Sequence, residues 1–99
     1  MKKIIHITSL KFFDSQKDGE YYRSESFTEE GFIHFCEPQQ LKKVLSRHFT
    51  GKDNLIALEF DANKIEVEVI YEDLYQQGET FPHVYGPINL SALISVKSI

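Results

Sequence analysis

The sequence predicts an α+β fold with five or six mainly antiparallel strands and two main helices. Three observations carry that prediction. Short apolar words rich in β-branched and aromatic residues recur along the chain, at Lys3 to Ile7, Phe32 to Phe35, Leu55 to Phe60, Ile65 to Tyr71 and Leu90 to Lys97, each of strand length. One segment, Leu41 to Phe49, instead spaces its apolar residues as a helix does. The connection Asp61 to Lys64 is too short for a parallel crossover, so the strands on either side of it should pair antiparallel.

Taken in order, Lys3 to Ile7 forms the first strand. Thr8 or Ser9 then caps a helix that turns Leu10, Phe13 and Phe12 inward and stops at Asp18-Gly19. Glu20 to Arg23 is a short extended piece. Ser26 and Glu29 have the spacing of a capping box and predict one helical turn before Gly31. After the strand Phe32 to Phe35, Pro38 suits the start of a second helix, where its missing N–H would have had no partner. Leu41, Val44, Leu45, His48 and Phe49 line one face of that helix, and Gly51 stands where a C-terminal cap belongs. Such a stripe needs a sheet to cover it. In Ile65 to Tyr71 the alternation puts Glu66 and Glu68 on a wet face. Glu72 to Pro82 reads as a polar loop, and Leu90 to Lys97 as the last strand.

The chain has 99 residues, 41% of them hydrophobic, with eight Phe, five Tyr and no Trp. That is the size and polarity of one ordinary domain, spanning residues 1–99, which buries roughly two-thirds of its unfolded surface. Fifteen acidic residues face eleven basic ones, a net charge of −4, and only Arg23 and Arg47 are arginine. This balance argues against duplex DNA or bulk RNA as a partner, because such binders present a basic face to phosphates. A single cysteine, Cys36, cannot make an internal disulfide. The first residues lack the apolar core of a signal peptide and no stretch reaches membrane-spanning length, so the sequence predicts a cytoplasmic protein with no membrane partner.

The chemistry concentrates in three histidines set in apolar strand words: His6, His34 and His83. A lone histidine on a strand is most often a packed, hydrogen-bonded group. Three in comparable settings point to a shared pocket, since imidazole is the side chain best suited to proton transfer near pH 7. His48 belongs to the helix stripe and reads as packing. Three imidazoles would suit catalytic zinc, but no His-x-His or His-x-x-x-His pair is present, so the expected metal set is none. Cys36 and His34 lie two residues apart on one strand, about 6 to 7 Å along it, too far for a direct thiol–imidazole bond. Pro82 and Pro87 stiffen the segment that carries His83 and Tyr85. Glu72, Ser24 and Ser26 are further polar candidates.

These words occur in a recognisable order: His6-Ile7-Thr8, then Tyr22 to Ser26 and Phe27, then Glu30-Gly31-Phe32-Ile33-His34-Phe35, Gln40, Tyr71-Glu72 and Phe81-Pro82-His83 through Tyr85-Gly86-Pro87. Nearly the whole chain thereby resembles the bacterial family called Domain of Unknown Function 952. The resemblance implies a distant relationship to the ADP-ribosyltransferase fold, in which a split sheet holds NAD in a cleft. It would make His6, His34, Ser26 and Tyr85 ligand-binding, and His83 and Glu72 the acid or base of a reaction at a ribose or a ribose-linked phosphate. A histidine at the third position departs from the transferases, which use glutamate there to stabilise oxocarbenium-like charge. Ordinary mono-ADP-ribosylation is accordingly not the implied activity, and the histidines are more similar to those of the RNA 2′-phosphotransferases. Two other readings stay open: a noncatalytic binding or interaction module on the same fold, and a metal-dependent hydrolase.

Overall fold

A computed structural model describes all residues, Met1–Ile99. Its elements run β1 (Lys3–Ser9), α1 (Leu10–Asp14), β2 (Tyr21–Tyr22), α2 (Phe27–Glu30), β3 (Ile33–His34), α3 (Leu41–His48), β4 (Leu55–Asp61), β5 (Val69–Glu72), β6 (Phe81–Val84), β7 (Ile88–Asn89) and β8 (Leu93–Ser98), with three short 3-10 turns between them. The fold is α+β, and every strand pair is antiparallel. Eight strands replace the five or six expected. The additional ones include pairs of residues too short to leave a periodic trace in the sequence.

The strands form three ladders, ordered β1-β4-β8, β2-β7 and β3-β6-β5. Alternation along β1 divides its side chains between two faces. Ile5 and Ile7 join Ala57 and Cys36 under Leu41, Val44, Leu45 and Phe49, so the α3 stripe packs on the sheet as its spacing predicts. Ile4 faces the main core with Tyr22, Ile33, Phe35, Leu58, Phe60, Val84 and Ile88. His6 and Thr8 share that second face by parity. A bridge between Ile5 and Cys36, with both backbone bonds at 2.8 Å, ties β1 to the segment after β3.

The local devices agree in part with the sequence. Ser9 caps α1 by accepting from the Phe12 amide at 3.1 Å, and Phe13 is buried, but Leu10 points outward at 46% exposure because it opens the helix on its solvent side. Ser26 precedes α2 without capping it; its hydroxyl donates instead to Glu30 at 2.6 Å. Gly31 ends α2 with φ +78°, a left-handed conformation that favours glycine. Pro38 opens a 3-10 turn closed by a reciprocal Glu37–Gln40 capping box, and α3 follows directly.

The expected hairpin between Leu55–Phe60 and Ile65–Tyr71 does not form. β4 pairs with β1 and β8, while β5 begins only at Val69 and pairs with β6. Asp61 caps a turn over Ala62–Lys64. The Asn89 side chain then accepts from the Glu66 amide at 2.9 Å and donates to the Lys64 carbonyl at 2.9 Å. These bonds satisfy the backbone that a hairpin would have used and lead the chain to the other sheet.

Candidate functional site: a histidine-lined cleft

The floor of the site begins with His6, which is only 6% exposed. Its Nδ1 lies 2.7 Å from the His34 carbonyl oxygen and its Nε2 lies 2.8 Å from the Tyr22 hydroxyl. A carbonyl can only accept, so Nδ1 carries the hydrogen and Nε2 accepts from the Tyr22 O–H. Both ring nitrogens are thus committed inside the protein. Burial pulls the imidazole down from 6.5 to about 4, against the opposing backbone hydrogen bond, and keeps it neutral near pH 7.

His34 and His83 stand directly opposite one another in the β3–β6 register. Their ring centroids are 5.1 Å apart with planes at 84°, an edge-to-face pair. Phe32 packs against both, at 4.6 Å from His34 and 5.0 Å from His83, and so fixes their mutual orientation. Each imidazole is also held by its own carboxylate. His83 Nδ1 is 3.0 Å from Glu72 Oε1, which accepts the Tyr85 hydroxyl at 2.6 Å on the same oxygen. His34 Nε2 is 3.3 Å from Glu30 Oε2, whose other oxygen accepts from Ser26.

The electrostatics follow from these contacts. Burial lowers His83 below the usual histidine value, and the Glu72 carboxylate offsets that only in part. Glu72 is held below the usual carboxylate range chiefly by the Tyr85 hydrogen bond, and Glu30 likewise by Ser26. His83 Nε2 and His34 Nδ1 make no hydrogen bond within the protein, and these are the nitrogens left for a ligand.

A cleft of about 1700 Å³ runs past these residues. His6, Ser26, His34 and His83 line it, whereas Glu72 and Tyr85 do not. The last two grip the far side of the His83 ring. The α2 wall is acidic, with Glu25, Glu29 and Glu30, and the α3 side is mixed, with Lys43, Arg47 and, just beyond, Lys52 beside Glu79 and Asp53. Lys43 pairs with Glu79 at 2.5 Å, while Arg47 and Lys52 form no ion pair. The Asp73–Thr80 loop adds Tyr75, Gln77, Gly78 and Glu79 to the lining. Asp73 shapes it by accepting from the Gln77 and Gly78 amides, and Gln40 pins it by donating to Glu79 at 3.1 Å and to the Thr80 carbonyl at 3.0 Å.

Cys36 is 2% exposed, and burial pushes its thiol up to about 12, so it is unsuited to nucleophilic work near pH 7. No three His, Cys, Asp or Glu side chains are arranged to hold a metal ion. No helix is long and apolar enough to cross a membrane. Tyr22 and Glu30 stand in the words that carry the family resemblance, but the sequence alone assigned neither a role in the site. For Glu30 a signal existed, because Ser26, Glu30 and His34 succeed one another at intervals of four residues.

The fold is shared with solved structures of protein CC0527 from Caulobacter crescentus. Its crystal structure superposes with a TM-score of 0.85 at 26% identity, covering 97% of this chain and 84% of that one. A double mutant of that protein gives the same figures. Its solution NMR structure superposes with a TM-score of 0.74 at 24% identity, covering 100% of this chain and 85% of that one. No curated protein gives a significant match. A family model described as "Protein of unknown function (DUF952)" matches residues 7–96, nearly the full length, and the chain therefore belongs to the DUF952 family.

Proposed function

We propose that the cleft binds NAD or a related nucleotide and acts at its ribose or at a ribose-linked phosphate, on a fold of ADP-ribosyltransferase-like descent. The observation that carries this reading is the His34–His83 pair at 5.1 Å, two imidazoles with free nitrogens on one cleft. A nucleotide is anionic at its phosphates and hydroxylated at its sugar, and the cleft offers Arg47 and Lys52, outside any ion pair, for the phosphates, among carboxylates of Glu25, Glu29, Glu30, Asp53 and Glu79 that can accept from sugar hydroxyls. Size is consistent as well, since single drug-sized ligands fill roughly 300–1,000 Å³ and this cleft has room for a dinucleotide.

His83 takes the acid–base role, with Glu72 and Tyr85 as positioning groups behind it. His34 and Ser26 face the ligand, Ser26 with its hydroxyl donated to Glu30. His6 serves as the floor, since no free nitrogen remains on it for a ligand.

The test is a titration with NAD, ADP-ribose and nicotinamide, followed in the amide and imidazole NMR signals. Shifts confined to residues around His34, His83 and Arg47 at millimolar ligand are expected. Unchanged spectra with all three ligands would sink the nucleotide reading and leave a noncatalytic interaction module as the better account.

A further inference from the structure

We infer that the His34–His83 pair is a metal-independent acid–base couple for the phosphodiester of a small ribonucleotide, using the ribose 2′-hydroxyl next to that phosphate as the nucleophile. The inference rests on the nucleotide reading and narrows it to one bond.

Three features of the pair point to this chemistry. First, the two imidazoles differ in setting although they touch. His83 is 1% exposed and His34 is partly open to solvent, with 35% of its side chain accessible. Paired titratable groups in unlike environments divide the roles of acid and base between them. Second, each ring is anchored through one nitrogen and free at the other, so each can exchange a proton with a ligand without losing its orientation. Third, both anchors are carboxylates. Glu72 stabilises the cation that His83 becomes after taking a proton, and Glu30 forms an ion pair with His34 when that ring is protonated.

The position opposite His34 is occupied by His83, and Glu72 does not line the cleft. Oxocarbenium-like charge at a ribose is thus not met by a carboxylate at that position. An anionic, five-coordinate phosphorus is better matched to two imidazoles, one of which carries a proton, and Arg47 and Lys52 line the same cleft outside any ion pair, Lys52 over the Phe49 ring at 5.4 Å.

The step balances without a co-reactant. His83 Nε2 removes the proton of the 2′-hydroxyl as the 2′-oxygen bonds to phosphorus. The bond from phosphorus to the 5′-oxygen breaks, and the imidazolium of His34 gives that oxygen its proton. The products are a 2′,3′-cyclic phosphate and a free 5′-hydroxyl. Water then opens the cyclic ester with the two roles reversed: His34 takes a proton from water and His83 returns one to the 2′-oxygen.

The full-length chain would be incubated with uridylyl-3′,5′-adenosine and, separately, with its 2′-deoxy counterpart, in buffer containing EDTA, and the products separated by chromatography. The expected result is a cyclic phosphate and adenosine from the ribonucleotide alone, with the rate reduced about 100-fold or more in His34→Gln and in His83→Gln. His34 is partly exposed, so His34→Gln reports on chemistry even if the buried His83 variant folds poorly; Glu30→Gln is a second variant of that kind. Cleavage that persists in His34→Gln protein purified the same way would assign the activity to a contaminant and overturn the inference. Ligand-induced NMR shifts with no cleavage would overturn it while leaving the nucleotide reading standing. Neither shifts nor cleavage would remove both.

Discussion

Lowering the pH should weaken this fold well before its carboxylates titrate, and His6 should be a principal reason. In the folded chain burial holds His6 near 4, whereas an unfolded histidine titrates near 6.5. Between those values the unfolded chain binds the extra proton, so the contribution of His6 is complete above about 6.5 and is lost as the pH falls toward 4. The gap corresponds to about 3 kcal/mol in all. Between roughly pH 7 and pH 5 the loss should be about 2 kcal/mol. His83 is lowered too and acts in the same direction, so wild type must be compared with His6→Gln. Urea unfolding at both pH values supplies the assay. The variant should start less stable, because it disturbs the bonds to His34 and Tyr22, yet lose about 2 kcal/mol less than wild type on acidification. Equal losses in the two proteins, or a His6 ring signal that moves to its protonated position by about pH 6, would refute the reasoning.

Three further outcomes follow from the same contacts. Tyr22→Phe removes the only donor to His6 Nε2 and leaves that nitrogen buried and unpaired, so equilibrium unfolding should show a loss of about 1–3 kcal/mol. Leu58→Ala opens a cavity in the central strand of the largest ladder, at a fully buried position, and should cost about 2–5 kcal/mol by the same measurement. Glu72→Gln takes away the carboxylate that raises His83, so the His83 ring should titrate at a lower pH than in wild type by NMR, while a ring that titrates unchanged would detach Glu72 from His83.

Legibility of the fold depended on the length over which a pattern could repeat. The α3 stripe and the β1 and β4 words were readable because each side chain reports the same face several times, whereas the last word began too early, since Leu90–Ala92 forms a 3-10 turn and β8 runs over Leu93–Ser98. Strands β2, β3 and β7 have two residues apiece; the first two fall inside the extended words Glu20 to Arg23 and Phe32 to Phe35, whereas β7 left no trace, because no period fits in two residues. The alternation through Ile65, Val67 and Val69 was real as burial but misleading as pairing, because Asn89, more than twenty residues away, supplies the hydrogen bonds at Lys64 and Glu66. A contact of that range has no local signature.

The site was legible as a set of words and illegible as a set of roles. His6, His34 and His83 do line one cleft, yet nothing near His6 in sequence says that a carbonyl twenty-eight residues on and a tyrosine sixteen residues on take up both its nitrogens. Glu72 and Tyr85 were visible as polar groups near His83, but their place behind the ring follows from the β5–β6 register. Arg47 gains meaning only once α3 is laid along the cleft.

The closed circuit from Tyr22 through His6 to the His34 carbonyl also bears on how the chain can vary. A substitution at position 6 strands the Tyr22 hydroxyl and the His34 carbonyl, and one at position 22 strands an imidazole, so the hydroxyl–imidazole part of the penalty disappears only when both positions change, while the carbonyl still needs a donor from position 6. Positions 6 and 22 should therefore drift together among related sequences as a covarying pair, whereas position 34, which contributes its backbone carbonyl to the circuit, is free of that coupling.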